Sequence, residues 1–312
     1  MRSSSEYPQN PQLSRRQLLR ASGIAAAALF APSVLSGCRG ESATRIQIDL
    51  SNVQLPEQVP DGALTARRAA VRLHPQNNVS SSVYLSGTVL GDGRVLTAAH
   101  GFDPWVSKGH EKECGTLTVT GRLGANASQD NAVQIQGRQA APQSDIALAT
   151  MPGGSPIRSL GGPYLIRSSY LNRLTPVYNF SYQPDLHNQD RDPQAKTPSL
   201  RIPAAIGGVV LNVTEDTTLI MTGWKNYDPN GDPKDTYNRE GGSGSAWVTT
   251  DGGVVGITSS ANDMSPFAVK SAYNIELVSP PSQEVHLTVV TRVDQNLARA
   301  PYLDTVHNMR AC

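Results

Sequence analysis

Ser243, His100 and Asp145 are of types that could do covalent chemistry together in this 312-residue chain. Ser243 sits at the centre of a glycine-rich turn, Glu240-Gly241-Gly242-Ser243-Gly244-Ser245-Ala246-Trp247-Val248, which runs straight into an apolar segment. A serine becomes a nucleophile where its Oγ is exposed and backbone N–H groups converge on the oxyanion that its attack creates. Glycines at 241, 242 and 244 leave the backbone free to aim those groups inward. His100 closes the run Val95-Leu96-Thr97-Ala98-Ala99-His100, whose two alanines let another backbone or a substrate come close to the imidazole. Asp145 stands just before the alternating run Ile146-Ala147-Leu148. The order is His, Asp, Ser, with separations of 45 and 98 residues. A base, a carboxylate and a hydroxyl are the parts needed for acyl transfer to a serine.

Strands must bring them together. Ala70-Val71-Arg72-Leu73 and Ser82-Val83-Tyr84-Leu85 alternate in the strand manner. Thr88-Val89-Leu90 and Arg94-Val95-Leu96-Thr97 flank Gly91-Asp92-Gly93, a hairpin signal that delivers His100 at the end of its second strand. Further short strands are expected at 115–120, 132–136, 146–151, 176–182, 208–213 and 217–221, and Val254-Val255-Gly256-Ile257-Thr258-Ser259 follows the serine turn. Val285, Val289, Val290, Val293 and Leu297 share one face at helical spacing, so an amphipathic helix is expected to close the fold. Many short strands with glycine turns, and no repeat of fixed period, imply a sandwich or barrel.

The residue order excludes two other hydrolase plans, since subtilisins run Asp, His, Ser and α/β-hydrolases run Ser, Asp, His. An α/β-hydrolase elbow would also want glycine at 245, where this chain has serine. Ser86-Gly87-Thr88-Val89-Leu90 with Leu96-Thr97-Ala98-Ala99-His100 resembles the histidine block of the chymotrypsin-like, trypsin-fold serine proteases. Asp145-Ile146-Ala147-Leu148 resembles their aspartate block. Gly241-Gly242-Ser243-Gly244-Ser245-Ala246, followed by Val255-Gly256-Ile257-Thr258-Ser259, is similar to their serine block and the strand after it. The resemblance covers roughly residues 66–300. It implies an all-β fold of two packed six-stranded antiparallel β-barrels with a C-terminal helix. It also implies a triad of His100, Asp145 and Ser243, and an oxyanion hole from the N–H groups of Gly241 and Ser243. Substrate would lie against Tyr237, Thr258, Ser259 and Ser260. No cofactor or metal is expected, and the partner is a polypeptide substrate.

Where the chain departs from that family is equally informative. Animal members carry a cysteine just after the histidine and a partner upstream; here those positions are Gly101 and Leu85. Gly242 stands where zymogen-activated members have an aspartate that pairs with a newly cut N-terminus, and no Ile-Val-Gly-Gly start exists. Activity is therefore expected without an activating cleavage, and something else must hold the oxyanion loop in shape. Counting back six residues from Ser243 reaches Tyr237 as the base of the specificity pocket, and a short insertion would put Asp235 there instead. Thr258 lies where glutamate-specific relatives have histidine, which argues against that preference. The acidic loop from Tyr227 to Asp235 has Pro233 where a calcium loop of the EF type wants glycine.

Composition bounds the rest. Gly 27 and Pro 22 imply many turns, and charged residues at 17% are sparse without being disordered-like. Formal net charge is +1; without residues 1–37, which hold four arginines and one glutamate, 23 basic face 25 acidic residues. That balance argues against a nucleic-acid binder. Ser14-Arg15-Arg16-Gln17-Leu18-Leu19-Arg20 before the apolar run 21–35 resembles a twin-arginine export signal. The run is short for a membrane span. Leu35-Ser36-Gly37-Cys38 resembles a lipobox, in which Cys38 is acylated and becomes the N-terminus; a plain signal with a chance cysteine is the alternative. Arg39, rather than aspartate, would in a Gram-negative envelope direct the protein to the outer membrane. Cys114 and Cys312 then remain in an oxidising compartment, to pair with each other or stay as two free thiols. The expected organisation is a signal over 1–37, a tether over 38–66 and a protease domain over 67–312. The expected protein is a monomeric serine endopeptidase of the periplasm or cell surface, anchored through its lipid. A catalytically silent trypsin-fold binding protein of the envelope is the other reading.

Overall fold

The computed structural model describes residues 45–51, 53–75, 85–101, 116–121, 132–139, 145–150, 162–163, 171–182, 203–214, 217–227, 242–278 and 285–293. Two six-stranded sheets close on themselves. The first uses β2 (Ala70–Pro75), β3 (Leu85–Val89), β4 (Arg94–Ala98), β5 (Thr116–Gly121), β6 (Ala132–Gln139) and β7 (Ile146–Thr150), in the order β2-β3-β4-β7-β6-β5. The second uses β8 (Pro176–Ser181), β9 (Ala204–Val213), β10 (Thr217–Asn226), β11 (Ala246–Val248), β12 (Val254–Met264) and β14 (Val285–Arg292), in the order β10-β14-β12-β11-β8-β9. Closure leaves neither sheet an unpaired edge strand. The strand expected over 115–120 is present one residue later, and those expected over 132–136 and 217–221 are present and extend a few residues further.

One apolar cluster joins the barrels: Leu96, Ala98, Ile146 and Leu148 of the first meet Tyr178, Phe180, Ala205, Ala246 and Ile257 of the second. Trp247 lies at the centre of the second barrel with Val177, Val210, Ile220, Val255 and Val290, and is wholly buried. Burial of so large a ring anchors the strand carrying the serine turn in the barrel.

Residues 46–66 are not a tether. β1 (Ile46–Asp49) runs parallel to β13 (Ile275–Val278), pairing Ile46 with Ile275 and Ile48 with Leu277. Ile48, Leu50 and Leu55 bury against Val209, Leu211 and Leu219, forming an outer layer over the second barrel. α1 (Asp61–Ala69) follows, burying Ala63, Ala66 and Ala69 at three-residue intervals. It touches β3 of one barrel and β8 and β11 of the other, so its small side chains let a helix lie close to both. Proline and polar residues between these apolar positions gave the stretch its linker-like look. Residues 1–44, with the expected signal and Cys38, lie outside the described residues, as do Cys114 and Cys312. No helix among the described residues is long and apolar enough to cross a membrane.

The amphipathic helix expected over 285–297 is also corrected. Val285–Arg292 is β14, paired with β10 and β12. Val293 is helical, and residues 294–312 lie outside the described residues. The apolar spacings of four and eight residues that suggested a helix are also multiples of two, the strand period. Val285 and Leu287 face the outer layer, and Val290 faces the barrel interior, so both faces are apolar for a strand reason. One short helix that the periodicity did not reveal, α2 (Pro266–Tyr273), is capped by Ser265, whose Oγ accepts from Ala268 N–H at 3.2 Å.

Candidate active site

β4 and β7 pair antiparallel with Ala98 opposite Ile146. One step beyond that last pair, Ala99 donates its N–H to the Asp145 carbonyl at 3.1 Å. The register therefore brings His100, in the 3₁₀ turn Ala99–Gly101, beside the Asp145 side chain. His100 N–H donates to Asp145 Oδ1 at 3.0 Å. The ring Nδ1 lies 3.0 Å from Oδ1 and 2.9 Å from Oδ2. An ionised carboxylate only accepts, so in the neutral ring Nδ1 carries the proton and Nε2 keeps the lone pair. The Asp145 side chain is 9% exposed and that of His100 is 33% exposed, so one edge of the ring faces outward. Burial opposes the imidazolium, but the charge and hydrogen bond of Asp145 outweigh it and raise the His100 pKa.

Ser259 Oγ donates the remaining hydrogen bond to Asp145 Oδ2. The pairing of β12 with β14 shifts between Thr258 and Ser260, which leaves Ser259 as an extra, unpaired residue. Such a bulge re-aims a side chain. Here it turns the Ser259 hydroxyl across to the other barrel. The role was missed because the pattern of the strand shows no bulge.

The serine turn is pinned by its backbone. Ser243 C=O accepts from Ser86 N–H at 2.9 Å, and Gly244 N–H donates to Thr258 C=O at 2.8 Å. Ser86 is buried and is bound further, since its Oγ accepts from Tyr182 N–H at 2.9 Å and its carbonyl accepts from Thr97 Oγ1 at 2.7 Å. Gly244 has φ +80°, and a Cβ there would lie 2.2 Å from Thr97 Oγ1, 2.4 Å from Ser86 O and 2.7 Å from Ala98 N. Only glycine lets the turn press this closely on β3 and on β4, the strand that leads to His100. Ser243 is partly exposed. Its Oγ makes no hydrogen bond to His100 among the described residues; such bonds are often long before substrate arrives.

Of the residues expected to line the cleft, Thr258 is placed otherwise. It is 2% exposed, and its Oγ1 lies 3.0 Å from both Ser245 Oγ and Trp247 Nε1, under the turn. A hydroxyl so buried and bonded is not a substrate contact. Ser259 and Ser260 are partly exposed on β12, whose residues from 259 onward have β14 on one side and no strand on the other among the described residues. Gly241, Tyr237 and Asp235 lie outside the described residues.

The sequence profile of one family, described as trypsin-like peptidase domain, matches residues 85–257. No curated protein matches significantly. Among solved structures, the HtrA-type protease AlgW with a tripeptide is 13% identical over 79% of this chain and 64% of its own, with a TM-score of 0.43. The protein Deg5 is 12% identical over 78% of this chain and 93% of its own, with a TM-score of 0.44. A serine endoprotease from Yersinia pestis is 14% identical over 66% of this chain and 58% of its own, with a TM-score of 0.39. The chain thus spans less than two thirds of the length of AlgW.

Proposed function

This chain belongs to the family of trypsin-like peptidase domains, and from that membership we propose that it is a serine endopeptidase working through Ser243, His100 and Asp145. The observation that carries the reading is the two-point grip of the Asp145 carboxylate on His100, at the ring Nδ1 and the backbone N–H. That grip leaves Nε2 as the base. Ser243 Oγ attacks the scissile carbonyl carbon while Nε2 takes its proton, and Asp145 stabilises the imidazolium. The oxyanion forms against Ser243 N–H and, in this proposal, Gly241 N–H. The imidazolium then protonates the departing amine, the C–N bond breaks, and an acyl-enzyme remains. Water, deprotonated by the same nitrogen, releases the carboxylic acid and restores the serine. The side of β12 beyond Ser259 that has no strand among the described residues suits an extended peptide, which adds to a strand edge through its backbone.

A fluorophosphonate probe on the full chain tests this. Ser243 should be labelled, and Ser243→Ala and His100→Ala should each remove nearly all hydrolysis. The double variant should be barely worse than either, since the two residues act as one unit. Folded protein that takes no label would mark a silent trypsin-fold binding protein instead, and losses that multiply would rule out the triad mechanism.

We further propose that the domain is exported and held to the envelope through an acyl group on Cys38, on the strength of the paired arginines and the Leu35-Ser36-Gly37-Cys38 run. The mature protein should begin at Cys38 with an acyl mass increment, and Cys38→Ala should move it to the soluble fraction.

A further inference from the structure

Beneath the serine turn lies a chain of buried hydroxyls that leads to one backbone carbonyl. Ser245 is fully buried. Its Oγ lies 2.6 Å from Gly242 O, 3.0 Å from Thr258 Oγ1 and 2.8 Å from Asn179 Nδ2. A carbonyl only accepts, so the Ser245 proton points at Gly242 O. Trp247 Nε1 only donates, so Thr258 Oγ1 accepts from it at 3.0 Å and passes its own proton to Ser245. Asn179 Nδ2 donates to Ser245 Oγ and, at 3.0 Å, to Ala246 O. The bonds that Trp247, Thr258 and Asn179 send toward Ser245 thus lead to Gly242 O.

That carbonyl belongs to the same planar unit as Ser243 N–H, and in a trans peptide the two point in opposite directions. Ser245 N–H also reaches Gly242 O, at 3.1 Å. The next peptide is fixed at both ends, by Ser86 and Thr258. Ser243 N–H has no partner among the described residues, and the pinned carbonyl turns it away from the buried chain. Gly242 offers no carboxylate that could hold the turn from the other side.

We propose that Ser245 is a positioning residue, whose hydroxyl, backed by Asn179 and Thr258, sets the Gly242–Ser243 peptide so that Ser243 N–H meets the oxyanion. It supplies the loop order that zymogen-type members take from an aspartate and a new N-terminus. The inference rests on the peptidase reading of this site.

The test uses the full chain, a fluorogenic peptide chosen by library digest, and rates expressed per serine titrated with fluorophosphonate. Ser245→Ala should lower kcat about 10-fold to 100-fold with KM within about twofold, since one aligned donor in such sites contributes 10²–10³ and here it is misaimed rather than removed. Affinity for a peptide boronate, whose tetrahedral adduct carries an oxygen at the oxyanion position, should weaken in proportion, with affinity for the product peptide unchanged. Ser245→Cys, which keeps a weak donor, should fall between. A lower titratable fraction with a wild-type rate per titrated serine would mean a merely structural role and overturn the inference. Should the alanine variant not fold, the cysteine variant decides on the same criterion. If the wild type turns over and the folded variants match it, this inference alone fails; if the wild type titrates no serine, the peptidase reading falls and takes this with it.

Discussion

His100 is held between two opposing influences on its charge. Burial disfavours the imidazolium, and the adjacent Asp145 carboxylate favours it by more, so its pKa is raised above the ordinary value near 6.5. As a base it must be neutral, so hydrolysis should rise with pH on a limb centred above 6.5. The stability sign is opposite: the imidazolium–Asp145 pairing is fully present below the unfolded-state pKa and lost as pH rises through the raised folded-state value. Asp145→Asn should lower kcat by about four orders of magnitude and move the limb to lower pH, as a pH–rate profile of both proteins would reveal. An unmoved limb would mean that His100 is not the titrating base. Gly244 carries a different constraint. Gly244→Ala forces a side chain into φ +80° and into backbone atoms at 2.4 and 2.7 Å. It should cost about 2–5 kcal/mol in urea unfolding and most of the activity.

Among the elements, β12 reaches the site directly and α1 bears on the strand beside it. The bulge at Ser259 turns one hydroxyl to Asp145 and marks where β12 leaves β11. α1 bears on the strand after the nucleophile through the β11–β12 turn, because a Cβ on Gly62 would lie 2.6 Å from Thr250 O and 2.7 Å from Asp251 Cα. Two effects of Gly62→Ala therefore compete. Helix propensity favours alanine by about 1 kcal/mol. The clash is with backbone on an ordered turn, and relieving it costs about 1–3 kcal/mol. The clash should win, so thermal unfolding of Gly62→Ala should show a lower Tm; a higher one would mean that the helix shifts freely on the turn.

At the scale of the whole molecule, the groups of the proposed triad come from two barrels, and the arm before them covers a third apolar layer. His100 and Asp145 belong to the first barrel, Ser243 and Ser259 to the second, and Ser86 ties them through the Ser243 carbonyl. The arm is anchored by β1 and by Tyr227, whose hydroxyl donates to Pro56 O at 3.1 Å, while Lys225 pairs with Glu57 at 3.1 Å. A chain starting at Arg45 should be as stable as the full chain. One starting at Arg67 loses Ile48, Leu50 and Leu55 and bares Ile275 and Leu277. At about 1.5–3 kcal/mol per buried apolar side chain, that loss is on the order of 5 kcal/mol, comparable to the stability of a whole domain. Urea midpoints of the two truncated chains measure it. Equal midpoints would return residues 46–66 to the status of a linker.

The residues that could act as nucleophile, base and carboxylate were legible from type and order alone, because glycines around Ser243, small residues before His100 and an alternating run after Asp145 are local patterns. The strands were mostly legible for the same reason. What the sequence could not carry were the effects that depend on a partner far along the chain. Val285 to Val293 fits a helical face and a strand equally at spacings of four, and only pairing with β10 and β12 decides between them. Ile48 and Leu50 look like isolated apolar residues in a linker until β13 supplies the surface that buries them. Ser259 becomes an Asp145 partner through a register shift, and Thr258 becomes part of the support under the turn because its side chain meets Ser245 and Trp247 rather than the cleft. Local sequence determined which chemistry was available; strand register and burial, set by residues more than a hundred positions away, decided which hydroxyl serves it.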